Sequence, residues 1–415
     1  MSPGLLHGIR VLEMADEKAA HCGKLLAAQG ADVIKIEPPW GDPSRHYGPF
    51  VHDKPDAERS LHFWHYNVNK RGITLDLRTV EGGQLLRQLV STADMIVDAT
   101  SIDFLQQHGL HYDALRELNP RLLMVSVTPF GQDGPYRNYK TSDLIHLALG
   151  GIMALCGYDP QADGRYDTPP IAPQMWHAYH IASHYACIAL LGALFYRNST
   201  GVGQFIDIAI HDACSSNTEF SMPFFMYNAL LVQRLTHRHA YPQVTLPVSH
   251  RASDGRYVCA GSLPNAPSLR RIARLLVGAG IADGTLLERL ADDAWAESFE
   301  AREELTHHVQ KYIAARPAEE VYHAAQAHDL AWGAIRRPED NLIDAQFGAR
   351  GNLVEIEHEG LGKLPYTTSP WLAADIPWQI YRRAPRLGEH NQEIYGGELG
   401  LDVHTLQQLR AARVI

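Results

Sequence analysis

The chain has 415 residues, 45% of them hydrophobic and 20% charged, with 37 lysines and arginines against 47 aspartates and glutamates for a formal net charge of −10. That length accommodates one large or two medium domains with a sizeable core, and an acidic balance without a basic run interleaved with aromatics argues against a nucleic-acid groove. The five cysteines, Cys22, Cys156, Cys187, Cys214 and Cys259, lie far apart without a CxxC pair, which suggests neither a disulfide framework nor a zinc knuckle and fits reduced thiols in a cytoplasm.

The opening MSPGLLHGIR lacks a charged segment followed by an apolar one. No stretch approaches the roughly 18 unbroken apolar residues of a membrane span. The expectation is a cytoplasmic chain with neither export signal nor membrane contact.

The first periodic segment, IRVLEM at residues 9 to 14, predicts a short buried strand. Asp16 is placed to cap a helix through KLLAAQ, Gly30 to end it, and ADVIKIE to return as a second strand, which makes a β-α-β unit. TVEGGQLLRQLVSTAD predicts an amphipathic helix, MIVDA a strand, YDALRELNP a helix stopped by its Asn-Pro, and LLMVSVT another buried strand. Strands alternating with helices imply a parallel sheet covered on both faces, an α/β fold.

Nothing breaks a helix from Trp176 to Arg197, and its apolar run from Tyr185 onward predicts burial on all sides before the turn NSTGVG and the strand QFIDIAIHDA. After Ser216 the texture changes. Residues 1–215 read as the first part of a large domain, 216–240 as a linker rich in aromatics and methionine, and 241–330 as a smaller α+β domain with short strands and charged helices. Residues 331–380 carry the prolines and glycines of a second linker, and 381–415 close with a helix.

The early loops hold no GxGxxG and no Walker A sequence, which leaves a dinucleotide or nucleoside-triphosphate cradle without support. What they hold is PPWGDPSR and NVNKRGITLDL, so Arg45, Lys70 and Arg71 fall near strand ends, where open α/β sheets bind ligands. As bare residues they are phosphate donors or solvated surface charges. FGQDGPY, with Gly131 and Gly134, is a turn that either lets backbone amides approach a ligand or simply reverses the chain.

His177, His180 and His184 share one helical face. No carboxylate or second ligand type stands between Thr168 and Ile206 except Cys187, so pocket-lining or core imidazoles are expected in place of a metal site. Ser183 beside His184 likewise lacks a local acid to complete a triad.

Taken in order, GIRVLEM, KLLAAQGADVIKIEPPWGDPSR, NVNKRGITLDL, ADMIVDA, NPRLLMVSVTPFGQDGPY, SDLIHLALGGIMALCG, GALFYRNSTGVGQFIDIAIHDA, RRPEDNLIDAQFGARGNLVEIEH and APRLGEHNQEIYGGELGL resemble the family III CoA-transferases, the CaiB/BaiF type that includes formyl-CoA and carnitine CoA-transferases and α-methylacyl-CoA racemases. The resemblance runs through nearly the whole chain. It implies a Rossmann-like large domain built from both chain ends, a smaller domain, and a ring-shaped chain threaded through its partner in an interlocked dimer. It implies no permanently bound cofactor, with a coenzyme A thioester as substrate. It places the CoA phosphates near Arg45, Asn67, Lys70 and Arg71 and the pantetheine near Gly131, Gln132 and Tyr136.

In this family one aspartate attacks the thioester and then carries CoA as an aspartyl thioester. Counting back from ALLGALFYRNSTGVGQ, its position falls on Tyr179, inside WHAYHIAS. The glycines that follow the aspartate are also missing, and the usual RPG is replaced within ATSIDFLQQHGL. The resemblance therefore implies a catalytically silent subunit of a heterodimer or heterotetramer, paired with an aspartate-bearing homologue, as for benzylsuccinate-type acids. Alternatives are an active transferase using Asp143 or Asp167, and racemase-like proton chemistry, for which Ser142 stands where a histidine is needed. The aromatics of FSMPFFMYNALL and WHAYH suit a bulky aromatic acid, or, for Phe224 and Phe225, a linker core.

Overall fold

The computed structural model describes residues 4–415 apart from 219, 262–264, 369 and 377. Six strands, β1 (Arg10–Met14), β2 (Asp32–Glu37), β3 (Arg71–Thr74), β4 (Met95–Asp98), β5 (Leu123–Thr128) and β6 (Gln204–Ala209), form one parallel sheet in the order β3-β2-β1-β4-β5-β6. Leu12 pairs with Ile34 on one side and Ile96 on the other, so the chain winds outward from β1 in both directions. β4 and β5 are buried on both faces, which is why their sequences are unbroken apolar runs. β6, at the sheet edge, alternates half-buried and exposed residues.

The crossovers are α1 (Ala20–Ala28), α2 (Leu61–Asn67), α3 (Val80–Val90) and α4 (Tyr112–Leu118). Thr79 caps α3 by accepting from the Gly82 amide, and Ser60 caps α2 from Phe63. α1 starts later than Asp16 predicts: that carboxylate accepts from Lys18 N at 3.1 Å, and the first helical residue is Ala20.

Beyond β5 come α5 (Asp143–Leu149), the 24-residue α6 (His177–Thr200) and α7 (Ile210–Ser216). α6 buries small side chains, Ala178, Ala182, Ser183, Ala186 and Cys187, together with Tyr179 and Leu190. The expectation of burial on all sides is corrected. The small residues let the backbone approach α1 and β5 closely, while Tyr185, Ile188, Phe195 and Tyr196 stand exposed on the outer face. By length and hydropathy α6 would suffice to cross a bilayer, but its packed face and the buried Arg197, paired with Asp94 at 2.9 Å, make it a core helix of the sheet layer.

The chain divides into two compact units. One comprises Met1–Ile152, Ala172–Glu219 and Ala345–Ile415, the other Met153–Ile171 and Phe220–Asp344. The second unit carries a three-stranded antiparallel sheet, β7 (Ser249–Arg251), β8 (Tyr257–Cys259) and β9 (Gly333–Ala334), with helices α8 (Ala266–Gly278), α9 (Phe299–Ala314) and α10 (Ala318–Gln326). Its core is built on Val258, Leu269, Ile272, Leu276, Leu305, Ile313 and Trp332.

Within the stretch expected as a linker, 331–380, β9 belongs to the second unit and the antiparallel hairpin β10 (Leu353–His358) and β11 (Gly362–Thr367) to the first. The tail ends in α11 (Val403–Ala411). It completes the first unit from the other chain end: Tyr395 Oη donates to the Thr74 carbonyl at 2.8 Å and Asp76 N to the Val414 carbonyl at 2.7 Å.

Candidate active site

The strand order reverses between β1 and β4, and open α/β sheets hold their ligands in the crevice outside the carboxyl ends at such a point. A cleft of about 290 Å³ lies there, lined by Met14, Ala15, Asp16, Trp40, Thr100 and Phe104 among others. Trp40, 58% exposed, presents its ring with the Arg78 guanidinium 4.3 Å from the centroid. Arg78 in turn is held by Asp76, whose carboxyl that contact keeps below its usual range. A larger cleft of about 780 Å³, lined by Asp98, Ser126, Gln132 and Arg137, extends under β5 and β6. It lies off the reversal point, and the smaller one better fits the crevice rule.

The four polar residues expected at CoA phosphates have other partners. Arg45 is 1% exposed, donates to both oxygens of Glu37 at 2.6 and 2.8 Å, and stacks 3.8 Å from the Phe63 ring centroid. Lys70 is fully buried against Glu13, the Ala20 carbonyl and Asn67 Oδ1 at 2.8 to 2.9 Å. Asn67 is used in that contact and in donating to the Phe63 carbonyl. Arg71 joins Asp32, Glu393 and Glu398. Each guanidinium or ammonium is committed to internal carboxylates, because a cation drawn under the sheet edge needs a counter-charge at hydrogen-bond distance. Among the described residues lining the crevice, the one cation is Arg78. Sequence reasoning did not single out Trp40 or Arg78, although Trp40 follows ADVIKIE after two prolines and Arg78 directly follows GITLDL.

Gln132 sits between Ser126, to which its amide nitrogen donates at 2.9 Å, and Asp207, which accepts its backbone N–H at 2.8 Å. Gly131 has φ +88°, the left-handed conformation that the turn requires. Tyr136 is exposed and stacks on Tyr139 with centroids 4.8 Å apart. The turn thus lines the larger cleft through Gln132.

Tyr179 lies in the first turn of α6 and is 5% exposed. Its ring stacks on Trp176 at 5.7 Å, and Trp176 stacks on Tyr47 at 5.8 Å. Burial, with Glu17, Asp143 and Asp16 nearby, pushes the phenol well above its ordinary range, so it is neutral at physiological pH. Asp143 closes the helix end: α6 has no side-chain cap of its own, and Asp143 Oδ1 accepts from Tyr179 N at 3.2 Å. Burial raises that carboxyl while the amides of Tyr179, Ala178 and Trp176 pull it down. Asp167 belongs to the second unit, where it accepts from Gln161 at 2.7 Å and lies exposed.

The carboxyl that sequence reasoning overlooked is Glu17, in the loop after β1. One oxygen, Oε1, accepts from Tyr47 Oη at a long 3.4 Å, and Oε2 is buried without a hydrogen-bond partner among the described residues. Burial first, then Asp16, raises its pKa. The only signal for it in the sequence is an acid at the carboxyl end of a strand.

The histidines of α6 turn toward α1 and α2. Tyr66 Oη and His180 Nε2 are 2.7 Å apart, His21 lies 4.6 Å from His180 and 5.1 Å from His184 between ring centroids, and Lys24 Nζ meets His65 Nε2 at 3.1 Å. Among the described residues no group of three His, Cys, Asp or Glu side chains is arranged to hold a metal ion.

Residues 6–391 match the family described as CoA-transferase family III. The chain is 32% identical to the succinyl-CoA:(R)-benzylsuccinate CoA-transferase subunit BbsE of Thauera aromatica over 93% of its own length and 92% of that protein's. It is 32% identical to the succinyl-CoA–L-malate CoA-transferase beta subunit of Chloroflexus aurantiacus, covering 99% of this chain and 98% of the other. The crystal structure of a CAIB/BAIF family protein from Brucella suis superposes with a TM-score of 0.80 at 29% identity, over 95% of this chain and all (100%) of that one.

Proposed function

The chain belongs to CoA-transferase family III, and from that premise we propose that it is the nucleophile-free subunit of a two-chain enzyme moving CoA from succinyl-CoA to a second, aromatic carboxylic acid. The observation that carries this reading is Tyr179, a buried neutral phenol where the family resemblance places an aspartate.

The chemistry needs a carboxylate. It attacks the thioester carbonyl and expels CoA thiolate, leaving a mixed anhydride; the thiolate then attacks the enzyme acyl carbon, releasing the first acid and leaving an enzyme–CoA thioester. The acceptor carboxylate displaces the thiolate in turn, and the thiolate recaptures the acceptor's acyl group. A neutral phenol supplies neither the negative charge nor an activated acyl carbon. Asp143 is held as the cap of α6, which speaks against it as the displaced nucleophile.

The names of two relatives support the finer points: both are called subunits, and both names put succinyl-CoA as donor. The partner is then an aspartate-bearing homologue, the two ring-shaped chains interlocked, with CoA in the crevice between β1 and β4. There Trp40 offers a stacking face for an adenine and Arg78 a donor for a phosphate. Racemase-like proton transfer lacks its base, since Ser142 stands just before α5 where a histidine would be required.

A second reading, a chain with its own displaced nucleophile, is favoured by one observation, the unpartnered Oε2 of Glu17 beside Tyr179. Incubating the purified chain with succinyl-CoA and hydroxylamine, followed by peptide mapping, separates the two. The proposal expects no hydroxamate on this chain and a hydroxamate on the partner's aspartate when both are present. A hydroxamate on Glu17 would establish the second reading and end the first.

A further inference from the structure

Where α1, α2 and α6 meet, His21, Lys24, His65, His180 and His184 gather without an acid. The titratable groups that act on His21 are basic, namely His180, Lys24, His184 and His65, and the one acting on Lys24 is Lys70, itself paired with Glu13. Lys24 is 8% exposed. Its one hydrogen-bond partner among the described residues is His65 Nε2, which must therefore accept and be neutral. The Tyr66 hydroxyl meets His180 Nε2, and His184 Nδ1 donates to the His180 carbonyl at 2.8 Å. His21 Nδ1 is buried with no hydrogen-bond partner among the described residues.

A buried ammonium with only an imidazole for company is costly, and three N–H bonds point from it. Two of them lack an acceptor among the described residues. The cluster is not sealed: His65 and His184 reach the surface, and beside them on α6 stand Tyr185, 40% exposed, and Ile188, 66% exposed. The rim is apolar and the floor is basic.

We infer that this cluster is a binding site for the carboxylate of a small organic acid, with Lys24 as its charged donor, His21 and His65 as imidazole partners, and the acid's apolar body against Tyr185 and Ile188. An anion there supplies the counter-charge the protein omits. It also pulls a proton onto Lys24, whose burial draws the ammonium down to about 7. The acids nearest the cluster are engaged elsewhere: Glu13 pairs with Lys70, and Asp143, which acts on Tyr66, accepts from the Tyr179 amide. The inference does not rest on the transferase reading, and its assay contains no CoA.

The probe is 3-phenylpropionate, titrated calorimetrically into the purified chain, with 3-phenylpropionamide and inorganic phosphate in parallel. The acid is expected to bind at least tenfold more tightly than the amide or phosphate. At pH 8 it should bind with uptake of a proton, read from the difference between buffers of unlike ionisation enthalpy. Above the free-form pKa the affinity should weaken by up to about tenfold per pH unit. Lys24→Met should abolish binding and His65→Gln weaken it several-fold. Equal binding of the amide, equal binding of phosphate, or undiminished binding to folded Lys24→Met would overturn the assignment. If Lys24→Met does not fold, wild-type binding at pH 8 without proton uptake would overturn it equally.

Discussion

Two buried polar clusters flank α1, and they are built on opposite rules. On the β1 side, Glu13, Lys35, Asp42, Lys70, Glu37 and Arg45 form ion pairs of opposite charge: Lys35 with Asp42 at 2.8 Å, Lys70 with Glu13 at 2.7 Å and Arg45 with Glu37 at 2.6 Å. On the α6 side, His21, Lys24, His65 and His180 hold no acid between them, and burial drives the imidazoles of His65 and His180 down to about 3 and about 4. In the first cluster Asp42 and Glu13 push Lys35 above its usual range against the pull of burial, and Glu13 limits the fall of Lys70 to about 8. In the second no carboxylate opposes burial: the imidazoles are held neutral and Lys24 is drawn down to about 7. A closed network of this kind is scaffold, whereas an uncompensated one keeps a free-energy cost that a ligand can relieve.

The contrast is broken most severely at Glu13. Glu13→Gln leaves Lys70 and Lys35 facing a neutral amide in a site with no exposure, and should cost about 3–5 kcal/mol in urea unfolding. Gly23→Ala attacks the same network from α1: a Cβ there would lie 1.5 Å from Glu13 Oε2, closer than any real contact. A loss of about 1–3 kcal/mol is expected, with m unchanged if the native state merely shifts.

Lys24→Met sharpens the contrast from the other side, because it should stabilise the ligand-free chain by about 1–3 kcal/mol. Below pH 7 the wild-type lysine is charged in both folded and unfolded chains, so the gain is largest there. As pH rises from about 7 to 10.5 the folded lysine loses its proton before the unfolded one, wild-type stability recovers, and the gain fades. Burial already draws Lys70 down to about 8 against the pull of Glu13, so the loss in Glu13→Gln should likewise shrink as pH rises toward 10.5. The smallest effect belongs to a surface pair outside both clusters: Arg137→Ala, which removes a 2.7 Å contact with Asp103 at 34% and 48% exposure, should change stability by about 0–1 kcal/mol.

The strands and the large helix were legible because they are runs of apolar residues with a clear period, and a parallel sheet buried on both faces writes itself as such runs in IRVLEM, ADVIKIE and LLMVSVT. The charges were not. Arg45, Lys70 and Arg71 read as ligand donors or surface charges because nothing in PPWGDPSR or NVNKRGITLDL shows that Glu37, Glu13 and Asp32 lie across from them. Pairing is a property of the register between strands, not of either segment. α6 was misjudged for the same reason: an apolar run states that a helix can be buried, and only the small residues Ala178, Ala182 and Ala186 on one face reveal which side is. His180 and His184 stood out in the sequence, but His21, Lys24 and His65, contributed by other helices, complete their setting. Glu17 carried too weak a signal to single out.

The central claim, that the chain is a CoA-transferase subunit without its own nucleophile, is tested most directly by following CoA transfer from succinyl-CoA to benzylsuccinate with the purified chain alone and again with an aspartate-bearing homologous subunit from the same host. The account predicts no turnover above background from the chain alone and turnover on the order of 1–1,000 s⁻¹ once the partner is added. Turnover in that range from the chain alone would contradict it.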